Sequence, residues 1–449
     1  MNRQLSFYIA SLGCPKNLVD SEGIALLLSE AGYEPVMTPE ESDVIIVNTC
    51  GFIASAREEA LEVLEDLAAD KRADQLLIAA GCYSQRCPQE LATEIPGIDG
   101  IIGTRRWMDI VPLLEQIRST QREPPEDPIC HLPDVPTVGQ DAPEVPRATL
   151  QGASAYLKIA DGCRRTCAFC AIPLIKGTYV SRPPHEILRD ARILADYGAR
   201  ELIVIAQDTT DYGHDLGLED GLSALLDELL KEVPEVPWLR VMYAYPARIT
   251  DRLIDTMAQS PRVLPYLDLP LQHAHPDVLR RMQRPANIDS VRHTIEQLRA
   301  AMPDLALRTT LLVGFPGETE EEFKTLLRFV DEMAFDRVGV FTYSHERGTP
   351  AATREDDVPE AVKEERRERV LAVQQPISLA KNEAQIGRTL DVLIEGVSEG
   401  LSVGRSYRDA PEIDGLVLIE DTLPVGKIVP VEIVSALEYD LVGVPAEGN

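Results

Sequence analysis

The sequence predicts an α/β protein with an N-terminal doubly wound parallel-sheet domain, a central partial (β/α)6 barrel and a small C-terminal all-β barrel. At 449 residues, the chain is long enough for about three domains of ordinary size. Short apolar runs alternate with amphipathic stretches in two separate series, which is typical of parallel sheets covered by helices. The last ~70 residues instead carry short β-branched runs between Gly, Pro and Asp, which favours a small β-barrel.

The first series occupies residues 1–120. Its strand candidates are LSFYIASLGC, DVIIVNTC, QLLIAAGC and IDGIIG, with helical patterns between them. We expect a long helix over 56–71, started by a capping box of Ser55 and Glu58. Residues 121–149 are predicted to be a Pro-rich linker, because prolines and acidic residues replace the apolar periodicity there.

The second series, residues 150–378, contains six strand candidates that are each followed by a helical pattern. These strands are AYLKIA, ELIVIAQ, LRVMYAY, YLDLPLQ, LALRTTLLVGF and RVGVFTY. Six such units make a partial barrel, and β/α barrels carry their chemistry on the loops at the carboxyl ends of the strands. In residues 379–449, the runs TLDVLIEGV, LSVGRSY, GLVLIED and KIVPVEIVSALEY predict the small barrel.

Acidic residues outnumber basic residues by 74 to 44, which gives a formal net charge of −30. Such a field repels phosphate backbones and attracts basic partners, so nucleic acid is not expected to be a direct target. No apolar run approaches the ~18 residues that crossing a bilayer requires, and no signal-peptide core follows Met1. We therefore expect a cytoplasmic protein with no membrane contact, whose eight cysteines are reduced and available for metals or catalysis.

Three cysteines stand within eight residues in Cys163-Arg-Arg-Thr-Cys167-Ala-Phe-Cys170, just after the strand candidate AYLKIA. Three thiolates can hold three corners of an iron–sulfur cube and leave the fourth iron open for chemistry. A structural zinc site is the alternative. It requires four ligands, and no fourth cysteine lies nearby.

Cys14, Cys50 and Cys82 each end a different strand candidate of the first domain. Parallel strands end at one edge of a sheet, so these three residues can form one site although they are far apart in sequence. The glycine beside each of them would let the backbone approach a bulky inorganic core. Taken singly, each could be a small buried hydrophobic residue. Two cysteines lack such a placement, one at a helix start and one in the linker, and are treated as incidental: Cys87 and Cys130.

On these residues the chain resembles the radical S-adenosylmethionine (SAM) methylthiotransferases. The spacing Cys-Xaa3-Cys-Xaa-aromatic-Cys on a partial barrel is similar to radical SAM enzymes, and the three upstream cysteines resemble the methylthiotransferase branch. In that branch the C-terminal barrel is a TRAM domain. The resemblance implies two 4Fe-4S clusters, one on each cysteine group, and SAM as the cofactor. It also implies SAM-binding residues on the barrel, namely Phe169, Gln207, Asp208 and Gly314.

Three stretches resemble the branch that inserts a methylthio group at the β-carbon of an aspartate in the twelfth small-subunit ribosomal protein. They are SLGCPKNLVDSE at 11–22, IAQDTTDYG at 205–213 and RRMQRP at 280–285. The alternative is a tRNA adenosine methylthiotransferase of the MiaB type, which would be expected to carry Gln-Met-Asn after the first cysteine instead of Pro-Lys-Asn. Residues 381–449 contain thirteen acidic and five basic residues. This balance suits a basic ribosomal protein better than tRNA.

The resemblance also implies an electron donor such as a flavodoxin or ferredoxin. Two cofactor sites in separate domains must face each other, so we expect the first domain to dock over the mouth of the barrel. An iron–sulfur sensor or carrier without turnover, and a zinc-stabilised binding module, remain as other classes. His273 and His275 are expected on one strand face as hydrogen-bonded barrel lining rather than as metal ligands. Thr319 and Glu322 are expected to cap the next helix.

Overall fold

The computed structural model describes residues 4–120, 127–133 and 145–446. The N-terminal domain contains strands β1 (Ser6–Ser11), β2 (Glu34–Pro35), β3 (Val44–Thr49), β4 (Leu76–Ala80), β5 (Gly100–Gly103) and β6 (Ile129–His131). Its helices are α1 (Pro15–Glu30), α2 (Ala54–Asp70), α3 (Gly81–Arg86), α4 (Pro88–Glu94) and α5 (Ile110–Thr120). The strands are parallel and lie in the order β2-β1-β3-β4-β5-β6.

Helices cover both faces of this sheet, so the predicted doubly wound domain is confirmed. Ile24 of α1 and Leu113 of α5 pack with one set of strand residues. Leu64 of α2 and Leu91 of α4 pack with the other set. The strands are buried on both faces, which explains why they read as continuous apolar runs rather than alternating ones.

Two details of the N-terminal domain differ from the prediction. Helix α2 begins at Ala54 with Ile53 as its N-cap and with no side-chain cap, so the capping box of Ser55 and Glu58 is wrong because Ser55 already lies inside the first turn. Cys130 lies in β6 and pairs with Ile101 of β5, so it belongs to the sheet rather than to a linker. Residues 121–126 and 134–144 of the predicted linker lie outside the described residues. Its last two residues, Ala148 and Thr149, belong to the first strand of the central domain, so the predicted end of the linker is wrong.

The central domain contains β7 (Ala148–Gln151), β8 (Ser154–Lys158), β9 (Ala160–Asp161), β10 (Val180–Ser181), β11 (Glu201–Ile205), β12 (Trp238–Val241), β13 (Val263–Asp268), β14 (Ala306–Val313) and β15 (Arg337–Thr342). Its helices are α6 (Ile172–Ile175), α7 (Pro184–Asp196), α8 (Gly221–Glu232), α9 (Asp251–Gln259), α10 (Pro276–Arg281), α11 (Ile288–Ala301), α12 (Glu320–Met333) and α13 (Glu360–Glu383).

The main sheet of this domain has the order β15-β14-β13-β12-β11-β8-β7. Its six parallel strands are the six predicted from the sequence, and β7 adds an antiparallel edge. Alternation explains the layers: in β11, Leu202 and Val204 pack toward the helices, whereas Ile203 packs into the interior. The capping box of Thr319 and Glu322 that starts α12 is confirmed.

The C-terminal domain is a closed barrel, as predicted. It consists of β16 (Thr389–Ser398), β17 (Leu401–Ser406), β18 (Val417–Ile419), β19 (Ile428–Ala436) and β20 (Leu441–Pro445). The strands close in the order β16-β17-β18-β20-β19. Strand β20 was not among the predicted strands.

The outer domains close the two ends of the central sheet. At the amino ends of the strands, Arg405 of the C-terminal barrel donates to Glu201 at 2.6 Å and to Ser154 at 2.8 Å. Near the carboxyl ends, Asp20 of α1 accepts from Lys158 at 2.6 Å and from Lys176 at 2.8 Å. Among the described helices, none combines the length and apolar character that a membrane span requires.

Candidate functional site

A cavity of about 440 Å³ lies where the N-terminal domain meets the carboxyl ends of the barrel strands. Both cysteine groups line it, so the expectation that the first domain docks over the barrel mouth is confirmed. All eight thiols of the chain are free of disulfides. The cysteines that line the cavity are Cys14, Cys50, Cys82, Cys163, Cys167 and Cys170.

The upstream group is assembled from three loops of the N-terminal sheet. Cys14 precedes α1, Cys50 follows β3, and Cys82 is the second residue of α3, directly after β4. Asn17 joins the loops: its side-chain amide donates to the carbonyl oxygens of Leu12 at 3.1 Å and Thr49 at 3.0 Å. Its side-chain oxygen accepts from the Cys82 thiol at 3.4 Å. Asn17 was not predicted as a site residue, although it lies in a stretch that resembles the family.

The glycines beside these cysteines let the loops pack against one another. A Cβ atom at Gly13 would lie 2.7 Å from the Cβ of Cys50. A Cβ at Gly81, whose φ is +96°, would lie 2.3 Å from the side-chain oxygen of Asn48. Such contacts are too short for any side chain to be accepted without displacement of its neighbour. The glycines therefore bring the three loops together, whereas the sequence suggested that they admit an inorganic core.

The second group lies in the loop between β9 and α6. The backbone N–H of Arg165 donates to the sulfur of Cys163 at 3.4 Å, and the Cys170 N–H donates to the Cys167 carbonyl at 3.1 Å. A guanidinium nitrogen of Arg284 lies 3.6 Å from the sulfur of Cys167. Two of the three sulfurs therefore lie next to N–H donors, the kind of contact that orients the ligands of a metal centre.

Burial dominates the titration of several of these thiols. It raises the pKa of Cys82 to about 12, that of Cys170 to about 12 and that of Cys163 to about 11. Buried thiolates require a positive partner, and a metal cation is the partner that replaces their protons most directly. The donor set therefore fits a metal centre at each group.

The spacing of the sulfurs favours a cluster over a single ion. Among the described residues, three ligand atoms come within 4.8 Å of one another at His275, Asp277 and Glu322, and neither cysteine group is that compact. Tetrahedral zinc with Zn–S bonds of about 2.3 Å requires its sulfurs to lie roughly 3.8 Å apart. Each cysteine group therefore contains at least one pair of sulfurs more than 4.8 Å apart, which is too wide for a single tetrahedral zinc.

Three of the four residues predicted to contact SAM line the same cavity: Phe169, Gln207 and Asp208. The side-chain oxygen of Gln207 is buried and has no hydrogen-bond partner among the described residues. An unpaired buried acceptor of this kind fits a ligand that supplies the donor. Asp208 is already paired, since it accepts from Arg165 at 2.8 Å.

Gly314 is not among the described residues that line the cavity. Its N–H donates to the carboxylate of Glu318, and a Cβ at this position would lie 2.2 Å from the Cγ of Lys363. Close packing on α13 and a φ of +71° therefore account for the glycine. Its contact with SAM stays a prediction.

The two histidines are not on one strand face, so that expectation is wrong. His273 lies beyond β13, is fully buried and accepts through Nδ1 from the N–H of His275. His275 is the N-cap of α10 and accepts from the N–H of Asp277. Strand β13 ends at Asp268, and beyond it only an isolated bridge between Gln272 and Leu311 continues the pairing with β14. Hydrogen bonding of both histidines is confirmed.

Cationic and aromatic side chains complete the cavity wall. Two guanidinium groups lie over the ring of Tyr245, with the Cζ of Arg165 at 4.2 Å and that of Arg284 at 4.7 Å from its centre. The ammonium nitrogen of Lys16 lies 3.1 Å from the centre of the Tyr243 ring. The sequence missed these pairs, although Lys16 and Arg284 lie in two of the stretches that carry the family resemblance.

Salt bridges hold the first domain on the barrel. The buried carboxylate of Glu346, after β15, accepts from Arg57 at 2.6 Å and from Arg86 at 2.7 Å. Arg105 donates to the carbonyl oxygens of Ile175 at 2.8 Å and Leu174 at 2.9 Å. Contacts of charged side chains therefore join the first domain to the barrel.

A groove of about 700 Å³ adjoins the cavity between the start of α2 and the start of α13. Phe341, whose surface is 52% exposed, lines both. The groove carries more acidic than basic residues. Its charged residues are Glu58, Asp356, Glu360, Lys363, Glu364 and Arg367.

Comparisons with protein families match three parts of the chain. Residues 6–103 match "Uncharacterized protein family UPF0004", residues 157–330 match the radical SAM superfamily, and residues 386–445 match the TRAM domain. These ranges fall in the N-terminal sheet, the central barrel and the closed C-terminal barrel, respectively.

Individual relatives match the chain from end to end. It is 48% identical over 458 residues to the ribosomal protein uS12 methylthiotransferase RimO of Roseiflexus sp. (strain RS-1), with 98% of this chain and 97% of the relative covered. It is 49% identical over 452 residues to the protein of the same name from Chloroflexus aurantiacus, with 98% and 99% covered. The Synechocystis protein of that name is 45% identical, with 100% and 99% covered.

Solved structures share the fold at low sequence identity. The radical SAM methyltransferase TsrM from Kitasatospora setae, with cobalamin and a [4Fe-4S] cluster bound, matches with a TM-score of 0.57 and 14% identity, covering 89% of this chain and 80% of that one. The cobalamin-dependent SAM radical enzyme OxsB matches with a TM-score of 0.52 and 10% identity, covering 84% and 56%. These likenesses concern the fold alone.

Proposed function

Because the chain belongs to the RimO family of ribosomal protein uS12 methylthiotransferases, we propose that its two cysteine groups hold two 4Fe-4S clusters that serve one reaction. The protein is a radical SAM methylthiotransferase that inserts a methylthio group at the β-carbon of an aspartate in uS12. Relatives of this name at 44% to 49% identity cover nearly the whole chain, which favours this function over the tRNA-modifying MiaB type.

One observation carries the proposal: both cysteine groups line a single cavity. Cys163, Cys167 and Cys170 hold the cluster that binds SAM, and the upstream group holds the second cluster. A C–H bond at an aspartate β-carbon is beyond the reach of a side-chain base near neutral pH. When bound, the first cluster would supply the electron that cleaves SAM to methionine, with the substrate hydrogen ending on 5′-deoxyadenosine; the second would supply the sulfur, and a second SAM would supply the methyl group.

The side chains of the cavity wall bind and orient SAM. The unpaired oxygen of Gln207 accepts a hydrogen bond from an amine or hydroxyl of SAM. Phe169 offers an apolar face to the adenine. The same side chain packs against a group of buried hydrophobic residues that includes Phe315. Arg165 holds Asp208 in one orientation through their 2.8 Å contact.

The docked N-terminal domain excludes water from the reaction. The Asp20 and Glu346 salt bridges hold it over the barrel mouth, and the cavity wall is rich in aromatic and aliphatic side chains. Exclusion of water protects a reactive species from side reactions. We divide the chain into four units: an N-terminal domain at 1–120 that holds the second cluster, a linker at 121–149, a radical SAM barrel at 150–378 and a TRAM domain at 379–449.

The substrate is a basic ribosomal protein, and the acidic groove beside Phe341 is its route to the cavity. The surface of the C-terminal barrel keeps the acidic balance of its composition, because two of its arginines, Arg405 and Arg408, and two of its carboxylates, Asp409 and Asp414, are all buried in salt bridges. A flavodoxin or ferredoxin supplies the electrons, and a ribosomal substrate implies a cytoplasmic site of action.

Iron and sulfide counts on anaerobically purified protein test the two-cluster proposal. About four irons per cluster give roughly eight per chain. Replacing Cys14, Cys50 and Cys82 together by Ala should halve the iron, preserve release of 5′-deoxyadenosine and abolish methylthio transfer. Wild-type iron content in that triple variant would refute the upstream cluster.

A second assay tests the substrate. The reconstituted enzyme is incubated with SAM, reductant and either uS12 or tRNA, and the products are weighed. We expect methylthio-uS12. Methylthio-tRNA as the sole product would reject the assignment, and protein without 5′-deoxyadenosine release would indicate a cluster carrier.

A further inference from the structure

We propose that Lys16 binds the side-chain carboxylate of the target aspartate and so positions its β-carbon between the two cysteine groups. This inference rests on the proposed function, and it assigns a specificity residue to that site. The residue lies two positions after Cys14 and lines the cavity.

Three lysines are buried where α1 meets the barrel, and Lys16 differs from the other two. Lys158 pairs with Asp20 at 2.6 Å and with Asp161 at 2.8 Å. Lys176 pairs with the same two carboxylates, at 2.8 Å and 3.5 Å. Lys16 forms no salt bridge or hydrogen bond among the described residues, and its ammonium group rests on the Tyr243 ring.

Lys16 is only 8% exposed, and the exposure that remains faces the cavity. An ammonium group without an anion costs several kcal/mol when it is buried. The contact with the Tyr243 ring offsets about 2 kcal/mol of that cost. In the described part of the chain, the negative groups nearest to Lys16 are the Cys14 thiol and Asp268, but neither forms a hydrogen bond or salt bridge with it, and Asp268 is paired with Arg308. A carboxylate that enters the cavity can therefore pair with the ammonium group directly.

The other charged side chains near this end of the cavity are already satisfied. Asp208 pairs with Arg165 at 2.8 Å, and Asp268 accepts from Arg308 at 2.9 Å. The aspartate of the substrate brings a carboxylate whose carbon is bonded directly to the β-carbon, a distance of about 1.5 Å. A cation that holds the carboxylate therefore fixes the reacting carbon. A neutral nucleobase offers no such anion.

The test is a double-mutant cycle on the fully reconstituted enzyme. Wild-type and Lys16→Met enzymes are each assayed for kcat/KM with uS12 and with uS12 whose target aspartate is replaced by asparagine. We expect Lys16→Met to lower kcat/KM for the aspartate substrate by about 100-fold, the usual effect of deleting one partner of a desolvated charge pair. The asparagine substrate should lose far less on the same mutation. Lys16→Arg should recover part of the loss.

Three results would overturn the proposal. Equal losses with both substrates would show that Lys16 does not sense the carboxylate. Loss of half the iron in the Lys16→Met enzyme would show that Lys16 supports the upstream cluster. A higher dissociation constant for SAM in that enzyme would show that Lys16 binds the methionyl carboxylate of SAM. Lys427→Met, on the exposed surface of the C-terminal barrel, is the control. Failure of the proposed function itself is distinguishable, because wild-type enzyme would then form no methylthio-uS12.

Discussion

The carboxylate of Asp20 accepts a hydrogen bond from the ammonium group of Lys158 at 2.6 Å, and both side chains are buried. Asp20 belongs to the N-terminal domain, whereas Lys158 ends the first parallel strand of the barrel. This pair therefore joins the domains that carry the two cysteine groups.

Replacing Asp20 by Asn should loosen the docked domain. Lys158 and Lys176 would then share Asp161 alone, which leaves positive charge uncompensated in a buried site and costs about 3 kcal/mol. We expect amide hydrogen exchange in α1 to accelerate by about 100-fold. Asp227→Asn is the control, because its partner Arg252 lies 3.4 Å away on the exposed surface. Exchange in α1 at the wild-type rate would contradict a role of Asp20 in docking.

Gly81→Ala should damage the upstream cluster specifically. Its Cβ would lie 2.3 Å from the Asn48 side-chain oxygen and 2.5 Å from the Thr49 carbonyl, so the loops of Cys50 and Cys82 must separate. We expect iron to fall from roughly eight to roughly four per chain, with release of 5′-deoxyadenosine retained. Gly32→Ala controls for backbone strain, since Gly32 has a φ of +90° but no atom within 4 Å of a Cβ. Equal iron contents in the two variants would argue against loop packing as the cause.

Much of the fold follows from local patterns, because burial on one or both faces fixes the period of apolar residues. The six parallel barrel strands and both helical layers of the N-terminal domain are of this kind. Strand β6 escaped prediction because its three residues lie at a sheet edge inside a Pro-rich stretch. Strand β20, LVGVP, was not predicted either, because it has only five residues and contains both a glycine and a proline, which are rare within strands.

Part of the candidate site could be predicted from the sequence and part could not. The cysteines were predictable, since residue type and position at strand ends point to one edge of a sheet. Lys16, Tyr243 and the stacking of Arg165 on Tyr245 were not predictable. Each contact joins segments that meet only after the barrel closes and the first domain docks. The local spacing of apolar residues in the sequence carries no information about such contacts.

The pH dependence of stability should carry the signature of Glu201. Burial alone would raise the pKa of this carboxyl group, but the guanidinium groups of Arg405 and Arg240 outweigh it and hold the pKa at about 2. A lowered folded-state pKa stabilises the protein above the unfolded value near 4.5, and that contribution is lost as the pH falls toward 2. The difference is worth about 3 kcal/mol at neutral pH.

Thermal melting of wild-type protein and of Glu201→Gln between pH 6 and pH 3 measures this contribution. The wild-type advantage should be greatest at pH 6 and should shrink as the pH falls below 4.5. Glu65→Gln, at an exposed position of α2, should follow the wild-type profile. An advantage that is constant over this range would contradict ionisation of Glu201 as its source.

Charge reversal in the acidic groove should weaken substrate binding without altering the chemistry. Glu58 and Glu360 line the groove next to Phe341 but not the cavity, so Glu58→Lys with Glu360→Lys should raise the KM for uS12 by about 10-fold and leave kcat close to the wild-type value. The effect should diminish at high salt, because attraction between exposed charges is screened beyond about 10 Å at 0.1 M ionic strength. Asp255→Lys with Glu296→Lys, on the exposed sides of α9 and α11, changes the net charge by the same amount and is the matched control. An equal change in KM in the groove variant and in the control would show that overall charge, rather than the groove, guides the substrate. A lower kcat in the groove variant would show that Glu58 and Glu360 act in the reaction itself and not only in substrate binding.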